Sequence, residues 1–226
     1  MSEPDVPRVV TIDGAAGSGK STLGRGLARA LALPYVNTGL MYRHLTLEAR
    51  RRNLDLDDGP ALAAVMDDLR FTVDGAPPGE LWIDGAPPVR ALYDDDVERH
   101  VSAVARHPEV RNRMRERQRA LGDRGAVMEG RDIGSVVFRD APVKLYLRAS
   151  AEARAARRGS ERSGDRTRVA RSLHDRDRRD ARTHPHDPVE GADTIDTGDL
   201  DVDQSLARAL AIVRRRAPRF LDGAAS

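Results

Sequence analysis

Residues 14–22 read Gly14-Ala15-Ala16-Gly17-Ser18-Gly19-Lys20-Ser21-Thr22, directly after the apolar run Arg8-Val9-Val10-Thr11-Ile12-Asp13. The stretch matches the phosphate-binding loop pattern G-x-x-x-x-G-K-[ST] in the strand–loop–helix setting that the pattern requires. Glycines let the backbone turn tightly, so consecutive N–H groups face one anion at the positive end of the following helix. We therefore expect all nine residues to bind a nucleoside triphosphate, with Lys20 on the outer phosphates and the Ser21 hydroxyl on Mg²⁺.

The use of lysine supports this interpretation of the loop. The chain has 36 arginines and two lysines, Lys20 and Lys144. At position 20 the chain therefore has the compact ammonium charge of a lysine, which suits a phosphate there better than the planar guanidinium group of an arginine. Because Lys144 lies in an ordinary strand pattern, the lysine count supports the loop assignment without proving it.

Composition limits the class of protein. The 226 residues suffice for one substantial core, and the absence of cysteine excludes disulfides, thiolate metal sites and cysteine nucleophiles. The net charge is only +2 and aromatic residues make up 4%, too few for a base-stacking platform. No run is apolar enough to span a bilayer, and the first residues are acidic. We expect a cytoplasmic monomer that acts on neither membranes nor nucleic acid.

Strand and helix signals alternate along most of the chain. Short apolar runs predict strands, and 3.6-residue periodicity predicts helices between them. Such alternation is typical of an α/β fold with a parallel sheet flanked by helices, whose ligand lies at the carboxyl ends of the strands. The predicted strands are 8–13, 35–36, 126–129, 143–147 and 194–195; the predicted helices are 21–31, 38–52 with Thr38 as N-cap, 61–69, 95–105, 108–121, two within 151–182, and 202–215.

The segment 53–93 breaks this alternation. Phe71-Thr-Val and Leu81-Trp-Ile are strand-like runs joined by Asp74-Gly-Ala-Pro-Pro-Gly, which predicts a β-hairpin. A hairpin within an α/β alternation indicates an inserted lobe.

Arginines in several separate stretches are candidates for a second phosphate site. A phosphoryl-transfer enzyme must hold two anionic partners in line and neutralise the charge between them. The alternative for most of them is a solvated surface charge or a helix ion pair, since arginine is so frequent here. Arg131 is the best candidate because Glu129-Gly-Arg-Asp follows a buried-strand pattern; the others are Arg43, Arg154, Arg157, Arg158 and Arg176, with Asp180.

Six motifs in order resemble the bacterial cytidylate kinase family of nucleoside monophosphate kinases, from about Val9 to Ala217. The most specific is the Gly-Arg-Asp-x-Gly block followed by Asp-Ala-Pro-Val-Lys. The motifs are Gly14–Thr22, Asn37-Thr-Gly-Leu-Met-Tyr-Arg43, Ser102–Arg111, Glu129–Phe138, Asp140–Lys144 and Arg176-Asp-x-x-Asp180.

The resemblance implies one kinase domain over 8–217 that uses ATP with Mg²⁺ to phosphorylate CMP and dCMP. It divides the domain into a core, an insert that binds the monophosphate, a short lid and an arginine-rich helix, between loose termini. These segments are about 8–37, 94–158 and 183–217 for the core, 38–93 for the insert, 159–166 for the lid, 167–182 for the helix, and 1–7 and 218–226 for the termini.

The resemblance also implies residue roles. Lys20, Arg131, Arg157 and Arg158 would act on the transferring phosphoryl group. CMP would be bound by Thr38, Arg43, Ser102, Arg111, Arg131, Asp132, Arg176 and Asp180. Among these, Ser102, Arg111 and Asp132 would read the base. This set also suits cytosine chemically, because Asp132 can accept from the N4 amine while Arg111 donates to N3 and O2.

Three positions depart from the family pattern. Asn37 and Glu129 stand where the family has aspartate, and both keep hydrogen-bonding ability. Thr183 stands where the family has a phosphate-binding arginine, so Arg182, Arg178 or Arg179 would have to serve, or acceptor affinity would be weaker. Arg182 would need local rearrangement, since one position rotates a side chain by about 100° around a helix.

Two other functions remain open on the sequence alone. A kinase of the same fold could act on UMP, AMP or a metabolite hydroxyl, and a nucleotide-dependent switch could use hydrolysis to regulate a partner. The residues predicted to read cytosine argue against a kinase for another acceptor. The arginines predicted to hold an acceptor phosphate argue against a switch.

Overall fold

A computed structural model describes residues 8–161 and 188–221, with side chains up to 157 in the first range. Its centre is a seven-stranded sheet in the order β3-β4-β2-β5-β1-β6-β7. Every neighbouring pair is parallel except β3 and β4, which are antiparallel. The predicted α/β fold with a mostly parallel sheet is confirmed. The strands are β1 Val9–Gly14, β2 Tyr35–Asn37, β3 Phe71–Asp74, β4 Glu80–Ile83, β5 Ala126–Gly130, β6 Val143–Arg148 and β7 Asp193–Asp196.

Strand β1 is an interior strand of the sheet, next to the central strand β5, and all six of its residues are buried. It pairs with β5 on one side and with β6 on the other. A strand buried on both faces is expected to be a nearly continuous apolar run, as Val9-Val10-Thr11-Ile12 is. The phosphate-binding loop begins at the carboxyl end of this interior strand, between its neighbours β5 and β6.

Helices cover both faces of the sheet. Most lie close to their predicted positions, and α4 matches its prediction at both ends. The α-helices of the described residues are α1 Lys20–Leu31, α2 Thr38–Arg51, α3 Gly59–Val65, α4 Asp95–Ala105, α5 Pro108–Gly122, α6 Ala151–Glu161 and α7 Val202–Arg216; shorter turns of helix are Arg90–Tyr93, Ile133–Val137 and Pro218–Phe220.

The start of α2 differs from the sequence prediction. Asn37, and not Thr38, is its N-cap, because the Asn37 side chain accepts a hydrogen bond from the backbone N–H of Leu40 at 3.3 Å. Thr38 Oγ1 donates instead to the backbone carbonyl of Glu129 at 2.7 Å. Both residue types are good caps, so local pattern could not decide between them.

The described residues form three hydrophobic clusters. The first packs α1 and α7 against one face of β1, β5 and β6, with Leu27 and Leu31 fully buried. The second joins α2 to α5 with the hairpin, around Met41, Leu62 and Met114. The third contains Val36 of β2, Met128 of β5 and Val137 of the turn of helix that follows Asp132.

The predicted hairpin consists of β3 and β4, but it does not form a separate sheet. Tyr35 of β2 pairs in parallel with Glu80 of β4, so the hairpin extends one edge of the central sheet. The inserted segment is therefore continuous with the core. The pairing has a single register position, which the sequence pattern gave no means to predict.

The end of the chain is also more ordered than expected. Residues 218–226 were predicted to be loose, yet Phe220 is fully buried in the first cluster. Arg8 lies 5.4 Å from its ring and donates to its backbone carbonyl at 3.1 Å. The packed part of the chain extends at least to Phe220 because this ring closes the core beneath α7.

Within the described ranges 8–161 and 188–221, no helix has both the length and the apolar character that a membrane span needs.

Candidate active site

The phosphate-binding loop connects β1 to α1. Gly19 precedes α1 with a left-handed φ of 90°, which turns the chain sharply into the helix. Lys20 Nζ donates to the backbone carbonyls of Gly14 at 2.8 Å and of Ala15 at 2.7 Å. The ammonium group therefore lies across the loop itself, next to the helix N–H groups that can receive an anion.

Gly14 gives a direct test of the loop geometry. Its φ is +146°, and a Cβ there would lie 2.4 Å from the backbone oxygen of Leu147 in β6. Because that oxygen belongs to the central sheet, Gly14→Ala is expected to lower the free energy of unfolding by at least about 2–3 kcal/mol. Denaturant unfolding would measure the loss.

Gly85→Ala is the matched control, since Gly85 has a φ of +78° with no atom within 4 Å of its added Cβ. It should cost only about 1 kcal/mol from backbone strain. Equal losses in the two variants would contradict the close approach of Gly14 to β6.

Glu129 connects the loop to the neighbouring strand β5. Its Oε1 accepts hydrogen bonds from Ser21 Oγ at 2.7 Å and from the Tyr35 hydroxyl at 2.7 Å. Its Oε2 is buried and has no hydrogen-bond partner among the described residues. Burial and the nearby carboxylate both raise the pKa of Tyr35 well above its ordinary value, so the phenol stays a donor.

These residues fit a magnesium ion. A hydroxyl and a carboxylate are the hard oxygen ligands that Mg²⁺ takes alongside substrate phosphates. The described residues contain no cluster of three or more acidic, histidine or cysteine side chains that could bind a metal alone. Ser21 was predicted to bind the metal from the loop pattern. Glu129 was not, because nothing in the local sequence shows that β5 brings its carboxylate to Ser21.

Glu129→Gln is expected to weaken the response to magnesium. The amide lacks the negative charge that attracts the cation, so the Mg²⁺ concentration for half-maximal activity should rise about tenfold. Titration of Mg²⁺ into the enzyme with ATP, followed by calorimetry, should show the same change in binding. The exposed Glu116→Gln in α5 is the control. An unchanged Mg²⁺ dependence in Glu129→Gln would exclude this role.

Several arginines predicted to meet phosphate lie around the loop. Arg131 Nη1 donates to the Gly14 carbonyl at 3.1 Å, and Arg154 Nη1 donates to the Ala16 carbonyl at 3.1 Å. Arg157 Nη1 donates to Thr197 Oγ1 at 3.0 Å, and that hydroxyl lies 3.0 Å from the Ser18 carbonyl. Arg154 is buried and does not line the cleft, so it supports the loop from the interior of the protein.

Other predicted positions lie outside the described part. Arg158 belongs to α6, but its side chain is not described. Arg176 and Asp180 lie outside the described residues, as do the lid beyond 161, the arginine-rich helix 167–182, and the possible replacements Arg178, Arg179 and Arg182 beside Thr183. These remain predictions.

Arg43, which was predicted to bind the acceptor nucleotide, is held in a buried ion pair. Its Nη2 donates to Glu98 Oε2 at 3.0 Å and its Nη1 to the Leu92 carbonyl at 2.9 Å. The guanidinium also lies 5.6 Å from the Tyr93 ring. The sequence did not predict that Glu98 pairs with Arg43, because an acidic residue in the first turn of a helix is usually a surface charge.

The predicted base-reading pair is formed in the structure. Arg111 Nη2 donates to Asp132 Oδ2 at 2.9 Å, with side chains 13% and 18% exposed. Tyr42 lies close to them, and burial together with the Asp132 charge raises its pKa well above the ordinary value. The motifs that hold Arg111 and Asp132 are separate in sequence, and the packing of α5 against β5 brings them together.

One cleft is lined both by loop residues predicted to bind ATP and by residues predicted to bind CMP. Its volume is about 1430 Å³. The phosphate-binding loop forms one wall and α2 with α4 forms the opposite wall. Of the predicted site residues, the cleft is lined by Ala16, Gly17, Gly19, Lys20, Ser21, Thr22, Thr38, Arg43, Ser102, Arg131, Asp132 and Arg157.

Comparison with known proteins agrees with this geometry. The family model described as cytidylate kinase matches residues 10–215. The chain belongs to the cytidylate kinase family. It is 44% identical to the cytidylate kinase of Roseiflexus castenholzii, over 93% of this chain and 95% of that protein. It is 41% identical to that of Deinococcus radiodurans, over 89% and 97% of the two chains.

A third relative is a longer protein. The bifunctional pantoate ligase/cytidylate kinase of Gloeobacter violaceus is 38% identical over 91% of this chain, which spans 42% of the relative. The match to the cytidylate kinase family therefore covers nearly all of the present chain, including both walls of the cleft.

Asp13, the last side chain of β1 before the loop, is a buried carboxyl group. Its two oxygens accept hydrogen bonds from the backbone N–H groups of Ile133 at 2.9 Å and of Gly134 at 2.8 Å. It thereby fixes the turn that follows Arg131 and Asp132. Burial raises the pKa of Asp13 from 3.8 to about 6, against the lowering effect of these two hydrogen bonds.

This raised pKa predicts a pH-dependent stability. The folded protein binds the Asp13 proton more tightly than the unfolded chain, so the contribution of Asp13 falls as pH rises from about 4 to about 6. The free energy of unfolding of the wild type minus that of Asp13→Asn should fall by about 2–3 kcal/mol as the pH rises through this window. Denaturant unfolding at several pH values measures this difference. The exposed Asp203→Asn should show no such trend; a constant difference for Asp13→Asn would contradict the shift.

Proposed function

We propose that this chain transfers the γ-phosphoryl group of MgATP to CMP and dCMP, giving ADP with CDP or dCDP. The observation that carries the proposal is the cleft, which residues of the phosphate-binding loop and Asp132 line together, with Asp132 paired to Arg111. A triphosphate site and a site for the Watson–Crick edge of a base therefore open on the same space. Membership of the cytidylate kinase family supports the same reaction.

The donor half is the loop and its neighbours. The backbone N–H groups from Gly14 to Thr22 would hold the β- and γ-phosphates of ATP, and Lys20 would move from the loop carbonyls to their oxygens. Ser21 and Glu129 would hold Mg²⁺, which supplies neutralisation of the charge that develops on the phosphate oxygens. Arg131, whose Nη1 is 3.1 Å from the Gly14 carbonyl, would contact the phosphoryl group during transfer.

The acceptor half selects cytosine by its pattern of donors and acceptors. An ionised Asp132 accepts from the N4 amine, and Arg111 donates to N3 and O2. Uracil presents N3–H in place of N3 and O4 in place of the N4 amine. Arg111 would then face a donor and Asp132 an acceptor, which costs binding energy. Thr38, Arg43 and Ser102 line the same wall and would hold the ribose and phosphate.

The reaction needs little covalent chemistry from the protein. The acceptor phosphate is already ionised near neutral pH, so no general base is required, and we propose direct in-line transfer without a phosphoenzyme. The protein contributes by holding the two nucleotides in line, by placing Arg131, Arg157 and Arg158 on the transferring group, and by excluding water. We assign 38–93 to acceptor binding and 159–166 to closure, and we propose that the enzyme acts as a cytoplasmic monomer.

Product analysis tests the reaction. Phosphorus NMR of enzyme, ATP, Mg²⁺ and CMP should show ADP and CDP rising in equal amounts, with little inorganic phosphate. Release of inorganic phosphate without CDP would support a hydrolytic switch instead and would contradict the proposal.

A further inference from the structure

The Asp132 carboxylate has a second cationic neighbour. Arg115 Nη2 lies 3.9 Å from Asp132 Oδ2, the same oxygen that accepts from Arg111 at 2.9 Å. Arg111 and Arg115 are one turn apart in α5, so both side chains are on the helix face that packs toward β5. Two guanidinium groups therefore share one carboxylate oxygen.

Arg115 differs from the other arginines on its helix. Its side chain is 24% exposed, whereas that of Arg113 is 44% exposed and pairs with Asp67 on the surface. Arg117 is exposed. The Nε of Arg115 is buried and has no hydrogen-bond partner among the described residues, while its Nη1 donates to Asn112 at 3.2 Å. Partial burial of a charge is costly unless an opposite charge is close, and Asp132 is that charge.

Asp132 is surrounded by groups of both signs. Asp13 on β1 repels it, and the buried Tyr42 on α2 lies near it. Arg111 and Arg115 on α5 attract it, and Arg131 is its neighbour in the chain. If Arg111 turns its donors to a base, Arg115 is the arginine of α5 that still faces Asp132. Without that charge, burial under the base would favour protonation of Asp132, and a protonated carboxyl holds the N4 amine more weakly than a carboxylate does.

We propose that Arg115 is a positioning residue that keeps Asp132 ionised and oriented while Arg111 binds the cytosine. The inference rests on the proposed function, since it concerns the same base-reading carboxylate. At 3.9 Å the contact is an ion pair rather than a hydrogen bond, so the charge of Arg115 matters more than its fork geometry. Arg115 thus becomes a specificity residue that does not itself touch the nucleotide.

The test compares Arg115→Leu, Arg115→Lys and the exposed-site control Arg117→Leu. Arg115→Leu should lower kcat/KM for CMP about tenfold, and for UMP by much less, because only cytosine uses the ionised carboxylate. The acid limb of kcat/KM for CMP should move up by about one pH unit relative to wild type. Since ionisation of CMP itself is common to all variants, the difference between them reports on Asp132. Arg115→Lys should retain most of the wild-type preference, and Arg117→Leu should match wild type.

Three results would overturn the inference. They are an Arg115→Leu enzyme with the wild-type CMP:UMP ratio and acid limb, equal losses for both acceptors with an unmoved acid limb, and an Arg115→Lys enzyme as impaired as Arg115→Leu. Asp132→Asn, assayed in parallel, separates this failure from failure of the proposed function. If Asp132→Asn loses selectivity and Arg115→Leu does not, only the role of Arg115 is wrong. If Asp132→Asn keeps selectivity, the base-reading assignment itself is wrong. Should Arg115→Leu prove unstable, Arg115→Lys and Arg115→Gln give the same comparison.

Discussion

Replacing Lys20 by methionine is expected to lower kcat with MgATP and CMP by about 1000-fold. Lys20 is the loop's one full positive charge, and its donors now lie 2.8 Å from the Gly14 carbonyl and 2.7 Å from that of Ala15. In the reacting complex it would neutralise charge on the transferring phosphoryl group, and removal of one such donor typically costs two to three orders of magnitude, about 10²–10³. Steady-state kinetics at saturating substrates measures the loss.

Lys144→Met is the matched control because the chain has only these two lysines. Lys144 lies in β6, outside the main cleft. Its replacement should leave kcat within about twofold, since Lys144 does not line the cleft in which the phosphates would be bound. Comparable losses in both variants, or an active Lys20→Met enzyme, would remove the loop from the catalytic mechanism.

Replacing Asp132 by asparagine is expected to reduce the ratio of kcat/KM for CMP to that for UMP by about 100-fold. The asparagine amide can turn its NH₂ group toward a uracil carbonyl, and it lacks the charge that holds the cytosine N4 amine. Loss of one charged hydrogen bond, with its partner left unpaired, is worth about 1–3 kcal/mol. The ratio is read from initial rates with each acceptor at fixed MgATP.

A change at the exposed carboxyl of Asp140, Asp140→Asn, is the control for this experiment. It lies in the same motif block as Asp132 but not on the cleft. The CMP:UMP ratio should stay at the wild-type value in this variant. If Asp132→Asn also keeps that ratio, cytosine is recognised by other groups.

The sequence could predict those parts of the fold whose signals are local. The strand β1, the phosphate-binding loop and α1 follow one another within a short stretch, and each has its own pattern. The ends of α4 and α5 were also predictable, since Pro108 suits the first turn of a helix and does begin α5.

Contacts between distant segments could not be predicted in the same way. Ser21 and Glu129 are separated by 108 positions, and only the pairing of β5 with β1 brings the two side chains to 2.7 Å. The buried pair of Arg43 with Glu98 likewise depends on how α4 packs against α2. In a chain with 36 arginines, the pattern alone could not distinguish Arg115 from its exposed neighbours.

The edges of the fold show the same limit. The hairpin was expected to form its own lobe, but its attachment to β2 depends on one register pair between Tyr35 and Glu80. Phe220 was placed in a loose terminus because no periodic pattern surrounds it, yet it fills the core beneath α7. A single large apolar side chain can fix a segment when a cavity of matching shape is present, and the sequence does not reveal that cavity.

Acceptor preference tests the central claim most directly. Wild-type enzyme with MgATP should be assayed for ADP formation with CMP, dCMP, UMP, AMP and no added acceptor. The cleft predicts that CMP and dCMP have values of kcat/KM at least about 100-fold above those of UMP and AMP, with little ADP formed in the absence of acceptor. Equal rates with UMP or AMP, or ADP formation that does not depend on an acceptor, would contradict a kinase whose site is built around cytosine.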